Sequence, residues 1–211
     1  MDIGEKFNCL AWGPSSRTDM SSGIIAGGMS DGSLMLWNAD ALMQPDRYEN
    51  GLQDACLLNM DLYEQFFCLE FNQFKPELLA TGGDHCYIVD IERDVSNPEV
   101  FQPSNNQNDK VVTSVSWNKN KVCQHILASA HEDGIVNILD LRKKGVAATF
   151  NDKINTSGRN IVVSWNPEIA TQFATISDDP RSADLQIWDL RNRNYPIITK
   201  RNPSSTSGTH C

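Results

Sequence analysis

The chain has 211 residues, 40% of them hydrophobic and 21% charged, with a formal net charge of −9. That length and apolar content support a substantial buried core and argue against wholesale disorder. An acidic balance makes a poor general binder of nucleic acid or anionic lipid, since both demand basic patches that displace counterions.

From the N-terminus, MDIGEKFNCLAW contains no apolar signal core, and no run in the chain is long enough to span a bilayer. The six cysteines (Cys9, Cys56, Cys68, Cys86, Cys123, Cys211) form no CxxC pair and no Cys/His metal spacing. Most lie in or beside apolar runs. The reading is reduced, buried thiols in a cytosolic protein, with no metal and no cofactor.

An internal repeat dominates the chain from Phe7 onward. The first unit reads Phe7–Trp12, then Gly23–Gly28, a turn at Ser30-Asp31-Gly32, then Ser33–Asn38. The second reads Phe67–Phe71, Leu78–Gly83, a turn at Asp84-His85, then Cys86–Asp90. The third reads Val112–Trp117, Ile126–Ala130, a turn at Glu132-Asp133-Gly134, then Ile135–Leu139 and Asp140. The fourth reads Ile161–Trp165, Phe173–Ser177, a turn at Asp178-Asp179, then Leu185–Asp189. Asp-Gly tolerates the positive φ of a tight hairpin, so each unit is predicted to fold back on itself.

A fourth strand fits between units, at Cys56–Asn59, Glu99–Phe101, Val146–Phe150 and Ile197–Lys200. Trp37, Val89, Leu139 and Trp188 recur at a spacing of roughly 50 residues, slightly above the usual four-strand blade period because of loop insertions. Units are predicted at approximately 1–59, 60–102, 103–151 and 152–201, forming one domain, with 202–211 an exposed tail. Local helix is expected only at Asp40–Met43 and Leu62–Gln65. Arg17–Ser22, Ala39–Glu49 and Ser104–Asp109 read as linkers.

A lone four-stranded sheet leaves both faces wet. Stacked radially, each sheet covers its neighbour and leaves only short edges. The expected fold is therefore all-β, with about four antiparallel blades. Trp37 and Trp188 suit packing between blades, and Ala26-Gly27-Gly28 and Ala128-Ser129-Ala130 suit crowded strands.

This pattern resembles WD-repeat β-propellers. In FNCLAW…GIIAGGMSDGSLMLWN, LLATGGDHCYIVDIERDVSNPEVFQPS, VCQHILASAHEDGIVNILDLRK and VSWNPEIATQFATISDDPRSADLQIWDLRN it is similar to the N-terminal propeller of the large subunit of the COPII outer coat. The resemblance runs from residue 7 to about residue 200. It implies a scaffold without catalysis, peripheral at endoplasmic reticulum exit sites and on vesicle membranes. The implied partners are the small six-bladed outer-coat subunit and other coat propellers at cage vertices. Family propellers carry seven blades and this chain supplies four. It also lacks the family's α-solenoid and Pro-rich segment. A partial, open propeller is expected, from a fragment, a truncated gene model or an unusually short paralogue.

Asp31, Asp84, Asp133 and Asp178 recur one per blade, which suits turn hydrogen bonding rather than convergent acid–base or metal chemistry. Gly32 and Gly134 complete two of those turns. His85 and His131 lie at turns, where exposure is expected, and His125 precedes a strand. No catalytic triad, GxxxxGK[ST] or GxGxxG occurs. Asp140-Leu141-Arg142 and Asp189-Leu190-Arg191 resemble the D-x-R triplet of WD-repeat substrate receptors of cullin–RING ubiquitin ligases. In those receptors the arginine docks on the adaptor. That is the alternative reading; hydrogen bonding within the blade is the structural one. Loops are where propellers recognise partners, and Arg17, Asp19, Arg47, Arg93, Asn106 and Arg181 are the loop candidates.

Overall fold

A computed structural model describes residues 6–47, 55–62, 65–91, 98–103, 110–143, 145–151, 160–177 and 184–201. Among these residues, sixteen strands form four sheets, each an antiparallel meander in chain order. Blade 1 is β1 (Phe7–Gly13), β2 (Ile24–Met29), β3 (Ser33–Asn38) and β4 (Cys56–Asp61). Blade 2 is β5 (Phe66–Phe71), β6 (Leu78–Gly83), β7 (Cys86–Asp90) and β8 (Glu99–Phe101). Blade 3 is β9 (Val112–Trp117), β10 (Ile126–His131), β11 (Val136–Asp140) and β12 (Gly145–Phe150). Blade 4 is β13 (Asn160–Trp165), β14 (Gln172–Ser177), β15 (Asp184–Asp189) and β16 (Ile198–Arg201).

The first strands of successive blades lie against one another: β1 on β5, β5 on β9 and β9 on β13. The blades therefore fan out from their first strands, and the fourth strands form the outer rim. Gly32 (φ 95°) and Gly134 (φ 85°) take up left-handed backbone at the β2–β3 and β10–β11 turns. The short helix α1 (Ala39–Met43) follows β3, and the Asn38 side chain caps it by accepting from Asp40 N and Ala41 N. Of the expected helical stretch Leu62–Gln65, residues 63 and 64 lie outside the described residues.

Strand register makes the blades comparable position by position. Trp12–Ile25–Trp37, Phe71–Leu79–Val89, Trp117–Leu127–Leu139 and Trp165–Phe173–Trp188 are equivalent cross-strand rows. They lie on the leading face of each blade, toward the preceding one. Ala26–Leu36, Ala80–Ile88, Ala128–Ile138 and Ala174–Ile187 are the equivalent rows of the trailing face. Each of three core clusters joins a trailing face to the next leading face. One holds Ala26, Leu34 and Leu36 against Phe71, Leu79 and Val89. The second holds Ala80 and Ile88 against Trp117, Leu127 and Leu139. In the third, Ala128 and Ile138 meet Trp165, Phe173 and Trp188. Alanine on one face leaves room for the larger side chains of the other, and these rows are buried where adjacent sheets meet.

Trp188 is buried, with its ring 5.7 Å from Phe150 and stacked 6.3 Å from Phe173. Trp37 is only half-buried and makes an edge contact with Phe7 at 5.7 Å. It lies on the leading face of the first described blade and packs there within its own sheet.

Candidate protein-interaction surface

Strand direction sorts the loops onto two faces of the fan. The β2–β3 and β10–β11 turns lie on one face. On it, the Asp31 carboxylate accepts from Ser33 N at 2.9 Å and from Ser33 Oγ at 3.0 Å. The backbone bond from Ser33 holds the Asp31 carboxyl below the usual carboxylate range. Asp133 accepts from Ile135 N at 3.1 Å. Asp84 is exposed at the equivalent turn of blade 2, and Asp178 lies outside the described residues. These carboxylates sit one per hairpin. Among the described residues, no group of three or more His, Cys, Asp or Glu side chains is placed to hold a metal ion.

The opposite face gathers the arginines. Arg142 binds Asp140 through Nε (3.1 Å) and Nη2 (2.9 Å), and its backbone N–H donates to the same carboxylate at 3.0 Å. One blade on, Arg191 repeats this with Asp189 at 2.8, 2.5 and 3.0 Å. Both carboxylates are buried, yet the Arg142 and Arg191 side chains remain 66% and 76% exposed. The arginine hydrogen bonds hold both carboxyls well below the usual range. Each guanidinium is thus tethered along one edge in a fixed orientation while most of it lies in solvent. Asn38 and Asp90 occupy the same register position in blades 1 and 2.

Arg17 and Asp19 lie on this face in the β1–β2 loop and pair with each other at 3.0 Å, both largely exposed. Such a pair adds little stability. Arg47 ends a 3-10 turn (Pro45–Arg47) in the β3–β4 connection, on the same face. Arg93, Asn106 and Arg181 lie outside the described residues. A cleft of about 390 Å³ between blades 2 and 3 is lined by Lys75, Ile88, Asp90 and Leu141 among others.

Sequence reasoning missed the latches between blades. Asn72, Asn118 and Asn166 each follow the aromatic that ends a first strand, and each turns its own loop by accepting backbone N–H groups. The side-chain N–H of Asn72 reaches Gln124 O in the next blade at 2.7 Å, and that of Asn118 reaches Ala170 O at 2.9 Å. In the other direction, Trp117 Nε1 donates to Glu70 O and Trp165 Nε1 to Ser116 O, both at 3.0 Å. The recurring aromatic-Asn dipeptide was the available signal.

The expected exposure of His131 is corrected. It is fully buried, with Nε2 3.2 Å from both Ser129 Oγ and Asn137 Nδ2, and Nδ1 3.1 Å from Lys110 O. Burial lowers its pKa, so it is a neutral packing residue. Cys86 is buried and Cys9 and Cys68 partly so; desolvation pushes the Cys9 thiol up to about 11 and that of Cys86 to about 12. Cys56 is exposed, because it lies on the outermost strand. No described helix is long and apolar enough to cross a membrane.

The chain is similar to known proteins over nearly its whole length. A family model for the anaphase-promoting complex subunit 4 WD40 domain matches residues 75–168. Protein transport protein SEC31 of Dictyostelium discoideum is 34% identical over 91% of this chain, which spans 14% of that protein. Protein transport protein Sec31B of Mus musculus is 31% identical over 93% of this chain, which spans 16% of it. The chain thus covers roughly a seventh of these relatives' length. A solved chain from "COPII on membranes, outer coat vertex" superposes with a TM-score of 0.75 at 26% identity. The match covers 95% of this chain and 51% of that one. Four antiparallel blades, latched first strand to first strand and matched throughout to these proteins, make this chain a segment of WD-repeat β-propeller of the type carried by the large subunit of the COPII outer coat.

Proposed function

We propose that the chain acts as a structural propeller of the COPII outer coat, in transport from the endoplasmic reticulum to the Golgi. The observation that carries this reading is the superposition on an outer-coat-vertex chain over 95% of the residues. The four sheets act as one domain with no catalytic role. Partners are the small six-bladed outer-coat subunit and neighbouring coat propellers, met peripherally on vesicle membranes at exit sites. The arginine face is the recognition surface, because Arg142 and Arg191 are held in fixed orientation yet exposed. Asp31, Asp84, Asp133 and Asp178 serve the hairpins instead.

The same two Asp–Arg pairs favour one alternative, a substrate receptor of a cullin–RING ubiquitin ligase. Quantitative capture of cytosolic proteins on the tagged chain separates the two. Enrichment of outer-coat subunits supports the coat reading. Enrichment of a ligase adaptor without coat subunits overturns it.

A further inference from the structure

The two loops of blade 3 on the arginine face carry cations and no carboxylate. The β9–β10 loop holds Lys119 and Lys121, and the β11–β12 turn holds Arg142 and Lys143. The face of the hairpin turns is the reverse. Among the described residues there, Asp31, Asp61, Asp84, Glu132 and Asp133 outnumber Lys6 and Lys110. A chain of net charge −9 thus concentrates positive charge over one blade. The carboxylates beneath that charge are already bonded, Asp140 to Arg142 and Glu70 to Lys119. Lys121 and Lys143 stand exposed beside them. Arg142 spends Nε and Nη2 on Asp140, which leaves Nη1 for an incoming carboxylate.

An apolar side chain stands among these cations. Val122 is 82% exposed in the 3-10 turn Lys121–Cys123. The turn is firmly held. Asn120 caps it by accepting from Val122 N at 2.9 Å, and Asn118 Oδ1 accepts from Asn120 N at 3.0 Å. Asn72 fixes the end of the loop through Gln124 O. A partner that meets Val122 therefore orders little that is not already ordered. Leu141 N donates to His125 O at 3.1 Å, which joins this loop to the cleft between blades 2 and 3. The cleft walls include Leu78, Ile88, Phe101 and Leu141, and its charged residues Lys75, Asp90 and Glu99 all belong to blade 2. Apolar cleft, tethered guanidinium and exposed valine thus follow one another across blade 3. Blades 2 and 4 flank this surface, and it stays open with both in place.

We propose that this surface of blade 3 binds an extended acidic segment of a partner protein. A large apolar side chain of the segment fills the cleft beside Leu141. The carboxylates that follow it cross Arg142, Lys143 and Lys121 and lie against Val122. Charge fixes that order, because Asp90 and Glu99 repel carboxylates from the blade 2 end. A guanidinium held in one orientation suits pairing with a carboxylate, and the exposed lysines add an attraction that salt screens. An anionic bilayer fits less well, since the acidic remainder of the chain is repelled by it. The inference rests on the reading of the arginine face as the recognition surface, and it names the chemistry that the face recognises.

The test is selection of displayed random peptides, about twelve residues long, on the purified 211-residue chain. Enrichment of peptides that set Asp and Glu beside a Leu, Phe or Trp is expected. A synthetic peptide of the enriched sequence should bind about tenfold or more weakly to Lys121→Glu with Lys143→Glu, and to Val122→Asp. It should bind unchanged to Lys110→Glu, on the opposite face. All these side chains are exposed, so the thermal midpoint should hold in each variant. Should one misfold, Val100→Glu at the exposed edge of the cleft replaces it. A selection without acidic enrichment overturns the proposal, and so does an affinity that these variants leave unchanged. Binding to phosphatidylserine vesicles in place of any peptide also overturns it and assigns the surface to lipid. A failed selection with outer-coat subunits still captured strikes this inference alone. A successful one with no coat subunit captured strikes the coat reading alone.

Discussion

The indole N–H of Trp165 lies 3.0 Å from the backbone oxygen of Ser116, one blade earlier in the chain. The same bond joins Trp117 to Glu70 O. Each ring fills the space between two sheets while its polar edge satisfies a backbone carbonyl of the neighbouring blade. Trp165→Phe keeps a phenyl ring but drops the bond and part of the indole's volume, and should lower stability by about 1–2 kcal/mol. Trp165→Ala also opens a cavity and should cost about 3–5 kcal/mol. Urea unfolding midpoints measure both. A loss near zero in Trp165→Phe would mean that the bond contributes nothing beyond packing.

Thr81 and Thr175 are register equivalents with opposite fates. Trp188 Nε1 donates to Thr175 Oγ1 at 3.2 Å. In blade 2, Val89 stands where Trp188 does, and the buried Thr81 hydroxyl has no hydrogen-bond partner among the described residues. Thr81→Val should therefore raise stability by about 1 kcal/mol, and Thr175→Val should lower it by about 1–2 kcal/mol. Thermal midpoints moving in the same direction for both variants would contradict this account.

Stability should fall on mild acidification. Burial lowers the pKa of His131 below its ordinary 6.5 in the folded state, and desolvation does the same for His125. In the unfolded chain these rings take up protons below about pH 6.5 while the folded chain does not, so the unfolded state gains. The unfolding free energy should be level above pH 7 and decline from about pH 6.5 toward the lowered folded values. Its slope per histidine is at most about 1.4 kcal/mol per pH unit. Replacing His131 with Gln should flatten the decline. An unchanged slope in that variant would place the proton uptake elsewhere.

The tethered arginines should govern binding. Asp140 and Asp189 have depressed folded pKa values, so their contribution is present above the ordinary carboxyl range and lost as pH falls through the folded values. At pH 7 the pairs are intact. Arg142→Glu with Arg191→Glu should weaken capture of coat subunits by about tenfold or more, and should also lower the melting temperature, because the buried Asp140 and Asp189 carboxylates lose their partners and face a like charge. Unchanged capture would reduce this face to solvated surface.

The blade grammar was readable because it is local. Asp-Gly turns, period-2 apolar runs and the recurrence of Trp37, Val89, Leu139 and Trp188 all act within a few tens of residues. The Asp–Arg tethers span only two residues, and they too could be read. What a residue meets across a blade boundary was not readable. Trp12 and Trp117 end register-equivalent first strands, yet one is exposed and the other buried, because Trp117 packs against blade 2 across a boundary that its own strand does not reveal. His131 reads as a turn residue. Its burial depends on Asn137 and on Lys110 O, in a neighbouring strand and 21 residues upstream respectively.

Reconstitution on vesicles tests the central claim most directly. The tagged chain would be mixed with purified inner- and outer-coat components on liposomes. The assembled coats would then be imaged by electron cryotomography with the tag labelled. Label concentrated at cage vertices, and lost with the Arg142→Glu, Arg191→Glu double variant, is the predicted result. Coats that assemble normally and exclude the label would contradict a structural role in the outer coat.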